Sequence, residues 1–334
     1  MAVKVGINGF GRIGRTVTRI LLQRSDFEVV GINDLTSPEQ LAHALKYDSV
    51  YPPVADVRAE GDTMLVGNWS PKVTSHRDPT DLEWAALGVD YVVESTGQFK
   101  KRAQLEQHLN AGAKKVFLSV PAKEAIDATV VMGVNDHILT GDEQILSNAS
   151  CTTNAAAPLT KVIHDAFGVE YGFINTIHAY TNDQRLIDAP HNDWRRSRAA
   201  ALSIIPTTTG AAKAVGKVIP ELDGKLDGMA YRVPTPDGSI VDMILRVGRD
   251  VTAAEVNDAV REAAEGDLHG ILEYLTDPIV SKDVIGNAHS SVFDSLITQV
   301  IEGRMVKVAT WYDNEWGYST RLVDLMARCA RLEG

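Results

Sequence analysis

Val3-Lys4-Val5-Gly6-Ile7-Asn8-Gly9-Phe10-Gly11-Arg12-Ile13-Gly14 carries a short apolar strand straight into a glycine-spaced turn. Helical periodicity follows over residues 12–24, and a second strand pattern occupies residues 27–32. Alone, the spacing Gly9-x-Gly11-x-x-Gly14 is common in turns. Set between a strand and a helix, it is the fingerprint of a dinucleotide-binding turn. Gly9 permits the tight turn, Gly11 lets the backbone approach a pyrophosphate, and Gly14 lets helix and strand pack closely. The free N–H groups and positive dipole end of the helix then receive the anion. Asp34 ends the second strand twenty residues after Gly14, where it can accept from both hydroxyls of a ribose. It can equally cap the turn that Leu35-Thr-Ser-Pro38 begins.

Outward from this motif, apolar runs at 89–94, 115–119, 129–134 and 144–147 are short and rich in Val and Ile, as buried parallel strands are. Helical patterns such as 100–112 separate several of them, so residues 1–150 read as a doubly wound parallel sheet. The second half changes rhythm. Runs at 169–180, 228–235, 239–248, 269–276, 292–302 and 304–312 are longer and more alternating, as in a sheet covered on one face. Thr252, with Glu255 three residues later, predicts a capped helix start. The expected class is α/β: an N-terminal Rossmann domain (1–150), a second α+β catalytic domain (151–314), and a C-terminal helix (315–334) returning to the first domain. The boundary near 150 rests on the change of pattern, since no Pro/Gly-rich linker marks it.

The 334 residues favour two domains, and 44% hydrophobic with 23% charged residues is an ordinary globular balance. A net charge of -11 argues against general affinity for nucleic acid or anionic membranes, so an anionic ligand needs a local cationic site. Trp194-Arg-Arg-Ser-Arg198 accordingly reads as a solvated or ion-paired face. No apolar stretch approaches the roughly 20 residues that span a bilayer, and the N-terminus has no signal-peptide pattern. The two cysteines, Cys151 and Cys329, have no metal-ligand spacing; no metal is expected, and a reducing cytoplasm is.

Ser147-Asn-Ala-Ser-Cys151-Thr-Thr-Asn154 joins a strand to a helical pattern beginning near Thr152. A thiol there sees the helix N-terminal field, which favours a thiolate nucleophile. A buried structural cysteine is the alternative, and the polar neighbours count against it. His178 closes the strand Gly172–His178 and is a candidate base, but a separation of 27 residues does not fix the pair, and His164, His191 and His289 stay eligible. Thr207-Thr-Thr-Gly-Ala-Ala-Lys213 looks like a helix start, suited to a phosphate or to an ordinary Thr cap.

The strings INGFGRIGR (7–15), SNASCTTN (147–154), HAYTNDQ (178–184), PTTTGAAKAVG (206–216), RVPTP (232–236) and WYDNEWGYS (311–319) resemble, in order and spacing, the glyceraldehyde-3-phosphate dehydrogenase family. The resemblance runs from residue 3 to about 328. It implies that Cys151 attacks the aldehyde of glyceraldehyde 3-phosphate, that the hemithioacetal passes hydride to NAD, and that inorganic phosphate cleaves the resulting thioester to 1,3-bisphosphoglycerate. His178 is then an ion-pair partner for the thiolate and an acid or base for the substrate oxygen. By the same likeness Thr181 and Arg232 hold one phosphate, and Ser150, Thr152, Thr209 and Gly210 the other, with Arg196 near the second. Beside Gly9, Gly11 and Gly14, NAD contacts are implied for Arg12, Ile13, Asp34, Arg77, Ser119 and Asn314, with Tyr318 near the nicotinamide. The segment 181–206 resembles a loop that lines the cofactor pocket across a subunit boundary, implying a homotetramer.

Three positions depart from the pattern. Ala155 stands where many members carry a second cysteine, Ala189 replaces a Leu common in NAD-specific members, and Tyr51-Pro-Pro-Val-Ala-Asp56 is atypical without evident consequence. Erythrose-4-phosphate dehydrogenase shares the motifs and the cysteine chemistry. A semialdehyde dehydrogenase is disfavoured by two phosphate sites, and a non-catalytic dinucleotide- or RNA-binding protein by the Cys151–His178 pair and the net charge.

Overall fold

Val5 and Ile7 are fully buried in β1 (Val3–Asn8) of the computed structural model, which describes residues 2–334. The chain continues through α1 (Arg12–Leu21) into β2 (Phe27–Asn33), parallel to β1 with Val3 opposite Phe27 and Asn8 opposite Asn33. After α2 (Pro38–Lys46) come three short strands, β3 (Val57–Glu60), β4 (Thr63–Val66) and β5 (Lys72–Thr74). Next are α3 (Trp84–Leu87), β6 (Tyr91–Glu94), α4 (Arg102–Asn110), β7 (Lys115–Leu118), β8 (Ala128–Thr129) and β9 (Ile145–Ser147). The sheet runs β3-β4-β5-β2-β1-β6-β7-β9-β8. From β5 to β8 every pairing is parallel. Each residue of β6 and β7 is buried, as strands covered on both faces require. From β1 the chain builds first toward β2 and later, beyond it, toward β6, so the β1/β6 boundary is the switch point where a doubly wound sheet opens for ligands.

This first unit comprises the chain to Val130, His137–Ala149 and Ser319–Gly334. The last piece belongs to α8 (Trp316–Glu333), introduced here ahead of its neighbours. Buried Lys115 ties it in: Nζ donates to the carbonyls of Gly141 and Glu143 (both 2.6 Å) and lies 3.1 Å from the Glu333 carboxylate.

The second unit, Val131–Asp136 with Ser150–Tyr318, opens with α5 (Cys151–Phe167) and β10 (Val169–Ala179). There follow β11 (Ile205–Thr208), α6 (Ala211–Val218), β12 (Leu226–Asp227), β13 (Met229–Val233) and β14 (Ser239–Val247). Then come α7 (Ala253–Glu265), β15 (Leu272–Leu275), β16 (Ser291–Asp294), β17 (Gln299–Ile301) and β18 (Met305–Tyr312). The sheet order is β11-β13-β10-β14-β18-β16-β15, with β12 on β10 and β17 on β18. Along β14, Ser239, Val241, Met243, Leu245 and Val247 are buried while Ile244 faces outward, the alternation expected of a sheet with one covered face. Helix α5 lies on the covered face, where Thr160 meets Met243.

Four expectations need correction. The first sheet is not wholly parallel, because β3, β4 and β5 pair antiparallel at its edge; at three or four residues each they are too short to stand out as strands. The strand expected over 129–134 stops at Thr129. Gly133 turns the chain at φ 78° and the Asn135 side chain accepts the Val131 N–H. The run 292–302 breaks where the Asp294 carboxylate accepts the Leu296 N–H and starts a single turn of 3-10 helix. The segment 181–206, read as loop, ends in the start of β11.

The Thr252 capping box forms as the sequence indicates, with Thr252 accepting from the Glu255 N–H (3.2 Å) and Glu255 from the Thr252 N–H (2.8 Å). Thr252→Ala is expected to cost about 1 kcal/mol, read as a lower denaturation midpoint, with turnover unchanged. An unmoved midpoint would show that this cap is dispensable.

Candidate active site

In the first unit the glycine motif has the three roles its spacing implies. Gly9 has φ 90°, and a Cβ there would lie 2.6 Å from the Thr96 nitrogen. A Cβ on Gly14 would collide with the Gly9 carbonyl. A Cβ on Gly11 would meet nothing, so what needs that space lies outside the protein. Gly9, Gly11, Asp34 and Arg77 line one cleft of about 500 Å³ with Asn8, Asn33, His76 and Thr96. These residues fit a dinucleotide: an empty cradle at a helix start, beside a carboxylate.

Asp34 serves both readings given to it. Its carboxylate accepts from the Phe10 N–H (2.8 Å) and the Thr36 N–H (3.2 Å), which braces the turn, while the residue still faces the cleft. Arg12 and Ile13 start α1, and the Arg12 guanidinium is 2.5 Å from Asp48 and 5.8 Å from the Tyr51 ring centre. The atypical Tyr51-Pro-Pro stretch thus has a structural task, since Arg19 also donates to the Pro52 carbonyl (2.6 Å). Ser119 is buried just past β7 and donates its N–H to the Glu94 carbonyl (3.0 Å). Asn314 and Tyr318 belong to the second unit, where both are buried and Asn314 accepts from the Ser239 hydroxyl (2.6 Å).

In the second unit Cys151 is the first residue of α5, and Ser150 is its cap, accepting the Thr153 N–H (3.1 Å). Half-buried Cys151 has its Sγ 3.4 Å from His178 Nε2. The three other candidate histidines are engaged elsewhere. His164 accepts the Val169 N–H, His191 accepts from the Asp193 N–H, and His289 contacts Asn287 and Glu273. His178 is brought into place by parallel pairing of β10 with β13, which sets it opposite Arg232.

His178 Nδ1 lies between the Ala179 carbonyl (2.6 Å), which only accepts, and the Arg232 guanidinium, which only donates; in the tautomer that directs the Nδ1 proton at the carbonyl, Nε2 is an acceptor facing Sγ. Arg232 Nη1 lies 2.9 Å from that Nδ1, 3.1 Å from the Ala179 carbonyl and 3.4 Å from the Thr181 hydroxyl. Arg232 and Thr181 are therefore brought together, and the buried Arg232 Nε has no hydrogen-bond partner among the described residues. Burial pushes the Cys151 thiol up, and Asp237 adds to this; the Arg232 cation and the Thr152 donors oppose it. Burial and Arg232 together push His178 down to about 3. This differs from the expected ion pair. The Arg232 field favours a thiolate but penalises an imidazolium, so His178 is suited to relay a proton rather than to hold one.

The other expected anion residues form two groups. Ser150 and Thr152 are at the start of α5. Gly210 caps α6, Thr209 accepts the Ala211 N–H (3.2 Å), and a Cβ on Gly210 would meet nothing. Arg196 is tied to this second group, donating to the Thr207 hydroxyl (2.9 Å) and the Thr208 carbonyl (3.2 Å) and pairing with Asp183. Sequence reading missed Tyr312. Its hydroxyl is 2.9 Å from both Thr152 and Thr176, its ring meets the His178 imidazole edge-on, and burial raises its phenol. It also missed Asp237, which burial and the neighbouring Asp313 push up to about 8. Asn8, Asn33 and Thr96 could have been found as polar residues at or just beyond the carboxyl ends of strands.

A family model described as glyceraldehyde 3-phosphate dehydrogenase, NAD binding domain, matches residues 3–102, and its C-terminal domain counterpart matches residues 150–314. The chain is 56% identical over 333 residues to glyceraldehyde-3-phosphate dehydrogenase 1 of Bacillus subtilis (strain 168), covering 99% of each chain. It is 57% identical over 332 residues to the glyceraldehyde-3-phosphate dehydrogenase of Geobacillus stearothermophilus, again across 99% of each. Against that of Mycobacterium avium it is 54% identical over 335 residues, across 98% of each. With more than half its residues identical along essentially its whole length, the chain belongs to the glyceraldehyde-3-phosphate dehydrogenase family.

Proposed function

We propose that this chain oxidises glyceraldehyde 3-phosphate with NAD and inorganic phosphate to give 1,3-bisphosphoglycerate, with Cys151 as nucleophile and His178 as proton relay. The observation that carries the reading is Cys151 Sγ, at a helix start, 3.4 Å from His178 Nε2. The thiol proton moves to His178 Nε2 as sulfur attacks the aldehyde carbon, and the imidazolium, made short-lived by Arg232, returns it to the substrate oxygen. His178 takes that proton again as the hemithioacetal is oxidised to a thioester. NAD, when bound, accepts the hydride. Phosphate oxygen then attacks the thioester carbon, the C–S bond breaks, and Cys151 leaves as a thiolate that Arg232 helps to stabilise.

Arg232 and Thr181 would hold the phosphate of the aldehyde, and the unpartnered Arg232 Nε supports an anion there. Ser150 and Thr152, with Thr209, Gly210 and Arg196, would serve the attacking phosphate. In the first unit Gly9, Gly11, Gly14, Arg12, Ile13, Asp34, Arg77 and Ser119 would hold the cofactor, with Asn314 also contacting it and Tyr318 near its nicotinamide. We also infer a homotetramer, supported by exposed Leu186, Ile187, Trp194, Leu202 and Ile204, which a second copy would cover. A cytoplasmic setting follows from the need to keep Cys151 reduced.

Cys151→Ser is expected to abolish NADH formation while NAD binding persists, because a hydroxyl far from ionised at neutral pH is a poor nucleophile. Substantial turnover in that variant would sink the assignment. His178→Asn should slow turnover by roughly 10²–10⁴-fold and move the alkylation profile of Cys151 to higher pH. An unchanged profile would show that His178 does not receive the thiol proton. Coenzyme choice is a separate matter. The Asp34 carboxylate, facing the cleft, should favour NAD over NADP by roughly ten-fold or more through repulsion of a 2′-phosphate, despite the small Ala189. Equal efficiency with both coenzymes, or a ratio unmoved in Asp34→Gly, contradicts this account.

A further inference from the structure

A buried polar chain runs behind the cleft of the first unit, and the reaction makes no use of it. Trp84, the first residue of α3, donates its indole N–H to Nδ1 of His108 on α4 (3.1 Å). An indole only donates, so His108 Nδ1 must accept and the imidazole proton sits on Nε2. From there it donates to Oε2 of Glu94 (3.1 Å), at the end of β6. The same oxygen accepts from Asn8 Nδ2 (2.6 Å). The other Glu94 oxygen accepts from the Thr96 N–H (2.9 Å) and from the Thr96 hydroxyl. Glu94 and His108 are both fully buried.

Beyond Glu94 the chain continues toward the cleft. Asn8, with its nitrogen committed to Glu94, offers Oδ1 to Asn33 Nδ2 (2.8 Å). Asn33 Oδ1 in turn accepts from the His76 N–H (2.8 Å) and the Thr74 hydroxyl (3.0 Å). Asn8, Asn33, His76 and Thr96 line the cleft; Trp84, His108 and Glu94 do not. An amide can be turned over without changing its shape, so packing alone does not decide which end of Asn8 or Asn33 faces which neighbour. Asn33 is decided by the backbone of His76, whose carbonyl accepts from Nδ2 (2.9 Å) and whose N–H donates to Oδ1. Asn8 is decided by Glu94, which only accepts, together with the Asn33 amide so fixed.

We propose that Glu94 is the positioning residue of the dinucleotide cleft, its carboxylate holding the Asn8 amide in the orientation that also meets Asn33 and so setting the polarity of the cleft floor. This rests on the reading of the cleft as the NAD site. Glu94→Gln keeps the shape and puts an N–H₂ group where one carboxylate oxygen stood. Toward Asn8 and His108, that group meets two donors. His108 cannot relieve the clash by shifting its proton, because Trp84 occupies Nδ1. Toward Thr96, it meets the Thr96 N–H, which only donates, and a hydroxyl that can turn to accept. If Asn8 turns over to accommodate it, Asn33 must turn as well, and its N–H₂ group then faces the His76 N–H at the cleft wall.

The test is NAD titration of the full-length protein by calorimetry, with NADH formation at saturating NAD alongside. Glu94→Gln is expected to raise the Kd for NAD about ten-fold, within the effect of one buried unsatisfied donor, while kcat and the Cys151 alkylation rate stay within about two-fold. Trp84→Phe, which damages the core but leaves the Glu94–Asn8 and Glu94–Thr96 bonds, should lower the denaturation midpoint and leave the Kd unmoved. Glu94→Asp, which keeps the acceptors but shortens their reach, should give an intermediate Kd and stands in for Glu94→Gln if that variant does not fold. Parental affinity in Glu94→Gln, or in Glu94→Asp where it is the variant read, overturns the proposal. An equal loss in Trp84→Phe also overturns it. A parent protein that does not bind NAD overturns the cofactor reading itself.

Discussion

A helix that starts directly off the carboxyl end of a strand has its first N–H groups unpaired, and something outside the helix must meet them. Both sites of this protein grow from that constraint. In the first unit β1 turns into α1 through Gly9 and Gly11, and the turn presents an empty cradle. At the other such junction β9 ends at Ser147 and α5 begins at Cys151. There the turn residue is Ala149, buried and at φ 54°, a conformation that a side chain resists by about 1–2 kcal/mol. The Ser147 hydroxyl accepts the Ala149 N–H (3.1 Å) and holds the bend. Strain therefore sits two residues from the nucleophile and sets how α5 presents it.

Around Cys151 the charges divide the work. Burial raises the Cys151 thiol and keeps the His178 imidazole neutral, while Arg232 opposes the first shift and adds to the second. The same guanidinium reaches Thr181 and has an N–H to spare. One cation thus connects the recognition of an anion to the state of the nucleophile. Tyr312, bonded to Thr152 and Thr176, meets the imidazole edge-on and packs it without adding a charge.

Local chemistry was legible in the sequence wherever a short stretch carries it. The glycine spacing, the Thr252–Glu255 box and the polar setting of Cys151 each depend on a few consecutive residues. Choosing His178 from four histidines needed the β10–β13 register, which no periodicity encodes. Tyr312 reaches Thr152 and Thr176 only because β18 pairs with β14 and β14 with β10. Glu94 was hidden for another reason, being read as the end of an apolar run, when its partners Asn8 and His108 come from a different strand and a helix. The edge strands β3 to β5 have only three or four residues each, so their pairing became visible only in three dimensions.

Lys115 lies buried, with its ammonium held by two carbonyls and the carboxylate of Glu333. The chain must therefore be synthesised as far as Glu333 before that ammonium has its counter-charge. The unit that contains β1 is completed only after the other has been synthesised. On the ribosome, where domains form as their segments emerge, the stretch from Ser150 to Tyr318 is fully available while the dinucleotide unit still lacks Ser319–Gly334. Order of synthesis and order of completion run in opposite directions in this molecule.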